Sequence, residues 1–148
     1  MYSDTVTIFN RFQQGQVITW YPTVLRNVDL NVDKGANVTK TGLESADTAK
    51  LHIRYNLVDG IITIQGKAYK RPKEWAAQAT GSHADTITFG SKDFMMRGEY
   101  PETPLNDTDP AYKPDVYSFI NKTRDDVYMI TTVGGPYKLI PHFEIGGK

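Results

Sequence analysis

Alternation between apolar and polar positions opens the chain. In Thr5-Val6-Thr7-Ile8-Phe9, Val6 and Ile8 share one face and Thr5, Thr7 and Phe9 the other, with Asn10 following on the first. β-Branched residues at this two-residue period predict a strand. Gly15 lies in a polar turn from Gln13 to Gln16, and Val17 to Trp20 starts a returning strand, which makes a hairpin. Pro22 has no N–H for a ladder, so it marks a bulge, an edge or a strand end. Apolar positions resume at Val24, Leu25 and Val28 and extend through Leu30 and Val32, which favours one long strand bent near Pro22.

Thr48 to Leu57 repeats the pattern, with Leu51, Ile53 and Tyr55 on one face and His52 and Arg54 on the other. Shorter strands are predicted at Ile61 to Ile64 after the Asp59-Gly60 turn, at Asp85 to Phe89 and at Asp93 to Arg97. Val127 to Val133 is the strongest strand pattern. Gly134-Gly135-Pro136 is predicted to turn the chain into a return at Tyr137 to Leu139, with His142 to Ile145 as an edge after Pro141.

Two segments read as helices. Pro72 stands in the first turn of one that reaches Ala79, and Pro114 opens another that ends near Arg124. In the second, Val116, Phe119, Ile120 and Thr123 recur at helical spacing. Residues 33–47 are polar, and residues 99–114 hold prolines at 101, 104, 110 and 114, so both are expected to be long loops. The predicted architecture is a mainly β, single domain over residues 1–148. It is a small antiparallel β-barrel or sandwich with two short helices and two long loops.

Charge narrows the function classes. Seventeen Lys and Arg balance seventeen Asp and Glu, so no global field draws the chain to nucleic acid or an anionic membrane. The chain has no cysteine, which removes disulfides, thiolate metal sites and cysteine nucleophiles. Its N-terminal residues lack the pattern of a signal peptide and no apolar run is long enough for a membrane helix, so a soluble protein without membrane contact is expected.

Candidate chemistry is sparse. His52, His83 and His142 do not fall in a zinc spacing, and His52 reads as a sheet residue. His83 lies in Gly81-Ser82-His83-Ala84-Asp85, but neighbours along a chain seldom meet in triad geometry. Glu44, Glu74, Glu99 and Glu102 could supply a carboxylate pair only if the fold set two across a cleft. Asp107 and Asp109 start like a calcium loop but lack its glycine and terminal glutamate, so loop turns explain them better. The expectation is a protein with no catalytic residues, metal or cofactor.

Lys67, Lys70, Arg71 and Lys73, with Tyr69 and Trp75, form the one basic and aromatic cluster. Three readings stay open: a solvated loop closed by a packed Trp75, a subunit interface, or a nucleic-acid contact. Trp20, Tyr21, Tyr69 and Trp75 could instead form a platform for a carbohydrate or peptide.

Several segments together resemble an uncharacterised family of short structural proteins of phages and prophages of Gram-positive bacteria. They are the opening Tyr2-Ser3-Asp4-Thr5-Val6-Thr7-Ile8-Phe9-Asn10-Arg11, then Trp20-Tyr21-Pro22-Thr23-Val24-Leu25-Arg26-Asn27-Val28 and Leu51-His52-Ile53-Arg54-Tyr55. Pro72-Lys73-Glu74-Trp75 and Asp85-Thr86-Ile87-Thr88-Phe89 continue the likeness. The resemblance implies a non-enzymatic virion subunit similar to ring-forming head-closure or tail-completion proteins of the head–tail connector. Its implied partners are other virion proteins, copies of itself in a ring and, non-specifically, exiting DNA. Its implied location is the virion, and the host cytoplasm during assembly. A carbohydrate- or peptide-binding β-module is the alternative.

Overall fold

A computed structural model describes residues 2–33 and 48–148 of the chain. The loop expected at 33–47 therefore lies, apart from Asp33, outside the described residues, as does Glu44. The first two strands, β1 (Asp4–Gln14) and β2 (Val17–Val32), form a long hairpin with Phe9 opposite Pro22. Pro22 thus sits within the ladder. The bend lies further on, where Asp4 opposes Val28 but Val6 opposes Leu25, leaving one extra residue on β2. Asn27 absorbs this bulge at φ 55°, a left-handed conformation that asparagine adopts more readily than most residues. The Gln65 side chain takes up the freed backbone of Arg26, accepting from its N–H at 3.0 Å and donating to its carbonyl.

The remaining barrel strands are β3 (Ala49–Arg54), β8 (Phe94–Arg97), β10 (Val127–Tyr137) and β11 (His142–Gly147). Their order β1-β8-β10-β11-β3-β2 closes through the β1–β2 pairing, giving a six-stranded antiparallel barrel, with β9 (Leu105–Asn106) added outside β2. A second sheet is made of β4 (Asn56–Val58), β5 (Ile61–Ile64), β6 (Lys67–Tyr69) and β7 (Thr86–Ile87). Only two α-helices occur among the described residues, α1 (Pro72–Ala76) and α2 (Val116–Thr123).

The two-residue period separates two cores. Val6, Ile8, Leu25, Leu51, Ile53 and Ile145 point into the barrel, and Ile64, Ile87 and Phe89 from the second sheet and its exit join the same cluster. Phe9, Trp20, Phe94 and Met96 point outward instead, where Leu105, Val116 and Ile120 cover them. The proline-rich segment 99–114 is therefore a cover held by β9 and α2. Asp107 pins it, its Oδ1 accepting from Trp20 Nε1 at 2.8 Å and from the Val116 N–H at 3.0 Å. Asp115 caps α2 by accepting from the Ser118 N–H at 2.8 Å.

The last hairpin differs from the sequence expectation. β10 continues through Gly134-Gly135-Pro136, with one extra residue there against β11, and the turn comes after Tyr137. Gly135 serves a close approach within the sheet: it has φ 105°, and a Cβ there would stand 3.0 Å from the His142 carbonyl oxygen. β11 is not an edge, since it pairs with β10 on one side and β3 on the other. Gly147 belongs to this interior strand, and a Cβ on it would meet the Met129 carbonyl oxygen at 2.9 Å.

His142 closes the turn of this hairpin. Its Nδ1 lies 2.6 Å from the Ile140 carbonyl and its Nε2 lies 3.0 Å from Glu144 Oε2. Both nitrogens face acceptors, which suits the doubly protonated ring. The Ile140 carbonyl first, and Glu144 with it, raise the His142 pKa; hydrogen bonding from His142 chiefly lowers that of Glu144. The imidazolium contribution is complete below the ordinary histidine value and fades as pH rises through the raised one. The carboxylate contribution fades as pH falls through the lowered Glu144 value. Unfolding midpoints of the wild type and His142→Phe, measured against pH, should therefore differ most between these two limits and converge at alkaline pH. A constant gap across the alkaline limb would contradict the clamp.

Candidate interaction surface

The second sheet leaves the barrel where β3 ends. Arg54 opposes His142, the Tyr55 N–H donates to the Pro141 carbonyl at 3.4 Å, and β4 begins at the next residue. β6 then returns to the barrel wall, and α1 follows from the short link after Tyr69. All six residues of the basic and aromatic cluster fall on this return, but they do different jobs.

Trp75 is buried, 1% exposed, and so is withdrawn from the surface contact considered for it. Its ring meets those of Phe12, Tyr21 and His83 edge-on, at 6.2, 6.0 and 4.8 Å between centroids. Its Nε1 is buried without a hydrogen-bond partner. Trp75→Phe should therefore cost only about 1–2 kcal/mol, because the cavity left by the smaller ring is partly offset by removing an unsatisfied donor. A loss of several kcal/mol in chemical denaturation would show that the indole nitrogen matters.

Tyr69 is half-buried, its ring 4.7 Å from Phe143 and 5.8 Å from Phe89, and burial raises its pKa. Lys67 donates from Nζ to Thr23 Oγ1 at 2.9 Å, and burial lowers its pKa against the pull of Glu102 and Asp85. The Lys70 N–H donates to the Ile87 carbonyl at 3.0 Å, continuing the β6 backbone toward α1. Arg71 and Lys73 are exposed.

Two depressions lie on either side of Pro72. The larger, about 690 Å³, is lined by Tyr69, Arg71, Pro72, Phe89, Val133 and Pro136 among others. Its neighbour, about 410 Å³, brings Lys73 together with Arg11 from β1 and Lys92 from the turn before β8. Sequence reasoning missed Arg11 and Lys92, because each is the lone cation of its own segment. What unites them is Asp93, whose Oδ1 accepts from the Arg11 N–H at 2.8 Å. Like charges gathered beside one groove suit an anion or a phosphate backbone.

Of the groups that invited a chemical reading, His83, Glu99, Glu102, Asp107 and Asp109 are engaged in the fold, while Glu74 is exposed on α1. His83, 1% exposed, lies on the Phe12 ring at 4.1 Å, and its Nε2 is 3.5 Å from the Ala76 carbonyl. Ser82 and Asp85 meet each other through backbone atoms. Glu99 pairs with Arg26 at 3.0 Å, and Glu102 accepts from the Val24 N–H at 2.6 Å. Asp109 accepts from the Ala111 N–H at 3.0 Å, forming a turn within the cover. Trp20 is 3% exposed and belongs to the outer core, so Trp20 and Trp75 do not share an open platform with Tyr21 and Tyr69. Among the described residues no three His, Asp or Glu side chains cluster to hold a metal, and no helix is long and apolar enough to cross a membrane.

The family model that matches the chain is described as a family of unknown function (DUF6751), and it covers residues 1–148. The chain belongs to that family. No curated protein and no solved structure matched the chain.

Proposed function

We propose that this member of a family of unknown function is a non-enzymatic structural subunit of a phage or prophage particle. Its place is the head–tail connector, as a ring-forming head-closure or adaptor protein. It would act in the virion, and in the host cytoplasm during assembly. The observation that carries this reading is the division of labour among side chains. His83, Asp107 and Asp109, three of the groups that invited a chemical reading, are spent on holding the barrel and its cover. What remains outward is a cationic groove at Arg11, Lys73 and Lys92 and apolar hairpins at one barrel end. Such surfaces suit neighbours rather than turnover: other virion proteins, copies of the chain and, through the cations, the phosphates of exiting DNA. The implied resemblance to connector proteins favours the same role.

A peptide-binding module is the second reading, favoured by the open cleft beside Tyr69, Phe89 and Pro136. Fractionation of a lysate from a particle-producing host separates the two. A particle subunit sediments with the virions at a fixed ratio to their other proteins and survives a high-salt wash. A chain that stays with small soluble proteins would overturn the proposal.

A further inference from the structure

Seven of the eight large apolar side chains left exposed among the described residues stand on two neighbouring hairpins, six of them near the turns. Leu57, Val58 and Ile61 are 64%, 53% and 53% exposed on β4–β5, while Tyr137, Leu139 and Ile140 are 43%, 88% and 74% exposed on β10–β11. Both hairpins leave the same end of the barrel, joined at their base by the bond from Tyr55 to Pro141. Soluble domains scatter such residues singly; concentrated at one end, they mark a contact surface.

Ile140 adds an independent sign. It sits at φ 53°, in the left-handed region where a β-branched side chain is strained and glycine or asparagine would be comfortable. Strain at a residue whose side chain packs on little of its own molecule points to a use outside it. β4 is also the outer strand of its sheet, with Asn56, Leu57 and Val58 all exposed, so its far edge is open to another strand.

Charge names the occupant. The β4–β5 turn carries Asp59 and the β10–β11 turn carries Lys138; both are exposed, and neither makes an ion pair among the described residues. One tip is apolar and acidic, the other apolar and basic. We propose that this end binds a second copy of the chain, with the β4–β5 hairpin of each copy meeting the β10–β11 turn of the other or the next. Naming a copy as the partner rests on the reading as an assembly subunit, whereas the surface itself does not.

Sedimentation velocity of the purified full chain over a wide concentration range tests the proposal. The wild type should show reversible self-association. Asp59→Lys and Lys138→Asp should each weaken it by roughly tenfold, and an equimolar mixture of the two variants should restore it, because each then meets its opposite charge. Ile140→Asn should weaken association while raising the thermal midpoint, a combination that misfolding cannot produce. A wild type that stays monomeric throughout, or single variants that associate as strongly as the wild type, would overturn the hairpin contact. Because the chain's presence in virions is measured separately, particle-bound copies with no self-association would reject this contact while leaving the assembly reading intact.

Discussion

Asp93→Ala is expected to destabilise the fold by about 2–4 kcal/mol, more than any other polar substitution considered. Asp93 is 4% exposed, and its carboxylate gathers three donors from two distant parts of the chain. Oδ2 accepts from Asn10 Nδ2 at 3.0 Å and from the Gly90 N–H at 2.9 Å; Oδ1 accepts from the Arg11 N–H at 2.8 Å. Alanine would leave the Gly90 and Arg11 donors facing a void, while Asn10 would keep its bond to the Thr88 carbonyl at 2.7 Å. The same substitution unties the turn that carries Lys92 beside Arg11, so the cationic groove should loosen with the fold.

The pH dependence of that site has a definite sign. Burial pushes the Asp93 carboxyl up to about 6, against the three donors and the nearby Arg11 charge, which pull it down. The native state then holds the proton more tightly than the unfolded chain does. Its contribution to stability falls as pH rises from the ordinary carboxylate value to about 6 and is level above that. The wild-type advantage over Asp93→Asn should accordingly be greater in acid than at neutral pH. Denaturant titrations across this range check it; an advantage that grows toward neutrality would mean the carboxylate is better solvated than the fold indicates.

Phe143→Ala should cost about 3–5 kcal/mol, the range for deleting a buried aromatic ring. Phe143 is fully buried on β11, with ring centroids of Tyr69, Phe89 and Tyr55 at 4.7, 5.1 and 5.4 Å. Tyr69 comes from the second sheet, Phe89 from the strand exit after it and Tyr55 from the end of β3. The ring therefore joins the barrel to the structure packed over its end. Beyond the loss in global stability, hydrogen exchange at Ile64 and Ile87 should quicken more than at Phe94 and Ile120, which belong to the outer core. A uniform increase across both cores would show that the second sheet does not depend on this joint.

Where local pattern and tertiary demand agreed, the fold was legible from the residues. Val6 and Ile8 alternate against Phe9 because one face fills the barrel and the other lies under α2, and both helices begin close to a proline. Misreadings arose where a residue type has two uses. Gly134, Gly135 and Pro136 carry turn chemistry, yet β10 continues through them, and Gly135 is needed where its backbone approaches the His142 carbonyl of β11. The actual turn, with Lys138, Leu139 and Ile140, holds residues that local preference would not place in one. Asn27 hides a bulge that only the pairing of Asp4 with Val28 reveals. In the candidate surface, Lys70, Arg71 and Lys73 were visible as a run, and Trp75 was readable as buried or exposed until its neighbours were known. Arg11 and Lys92 were invisible because a contact between segments, made through Asp93, carries no local sequence signal.

Cryo-electron microscopy of particles in which this chain bears a small C-terminal tag tests the assembly role most directly. Averaging should place copies of the barrel in a closed ring at the junction of head and tail, with the Arg11, Lys73 and Lys92 groove turned toward the DNA path. Particles with a complete junction and no density for the barrel or its tag would contradict it.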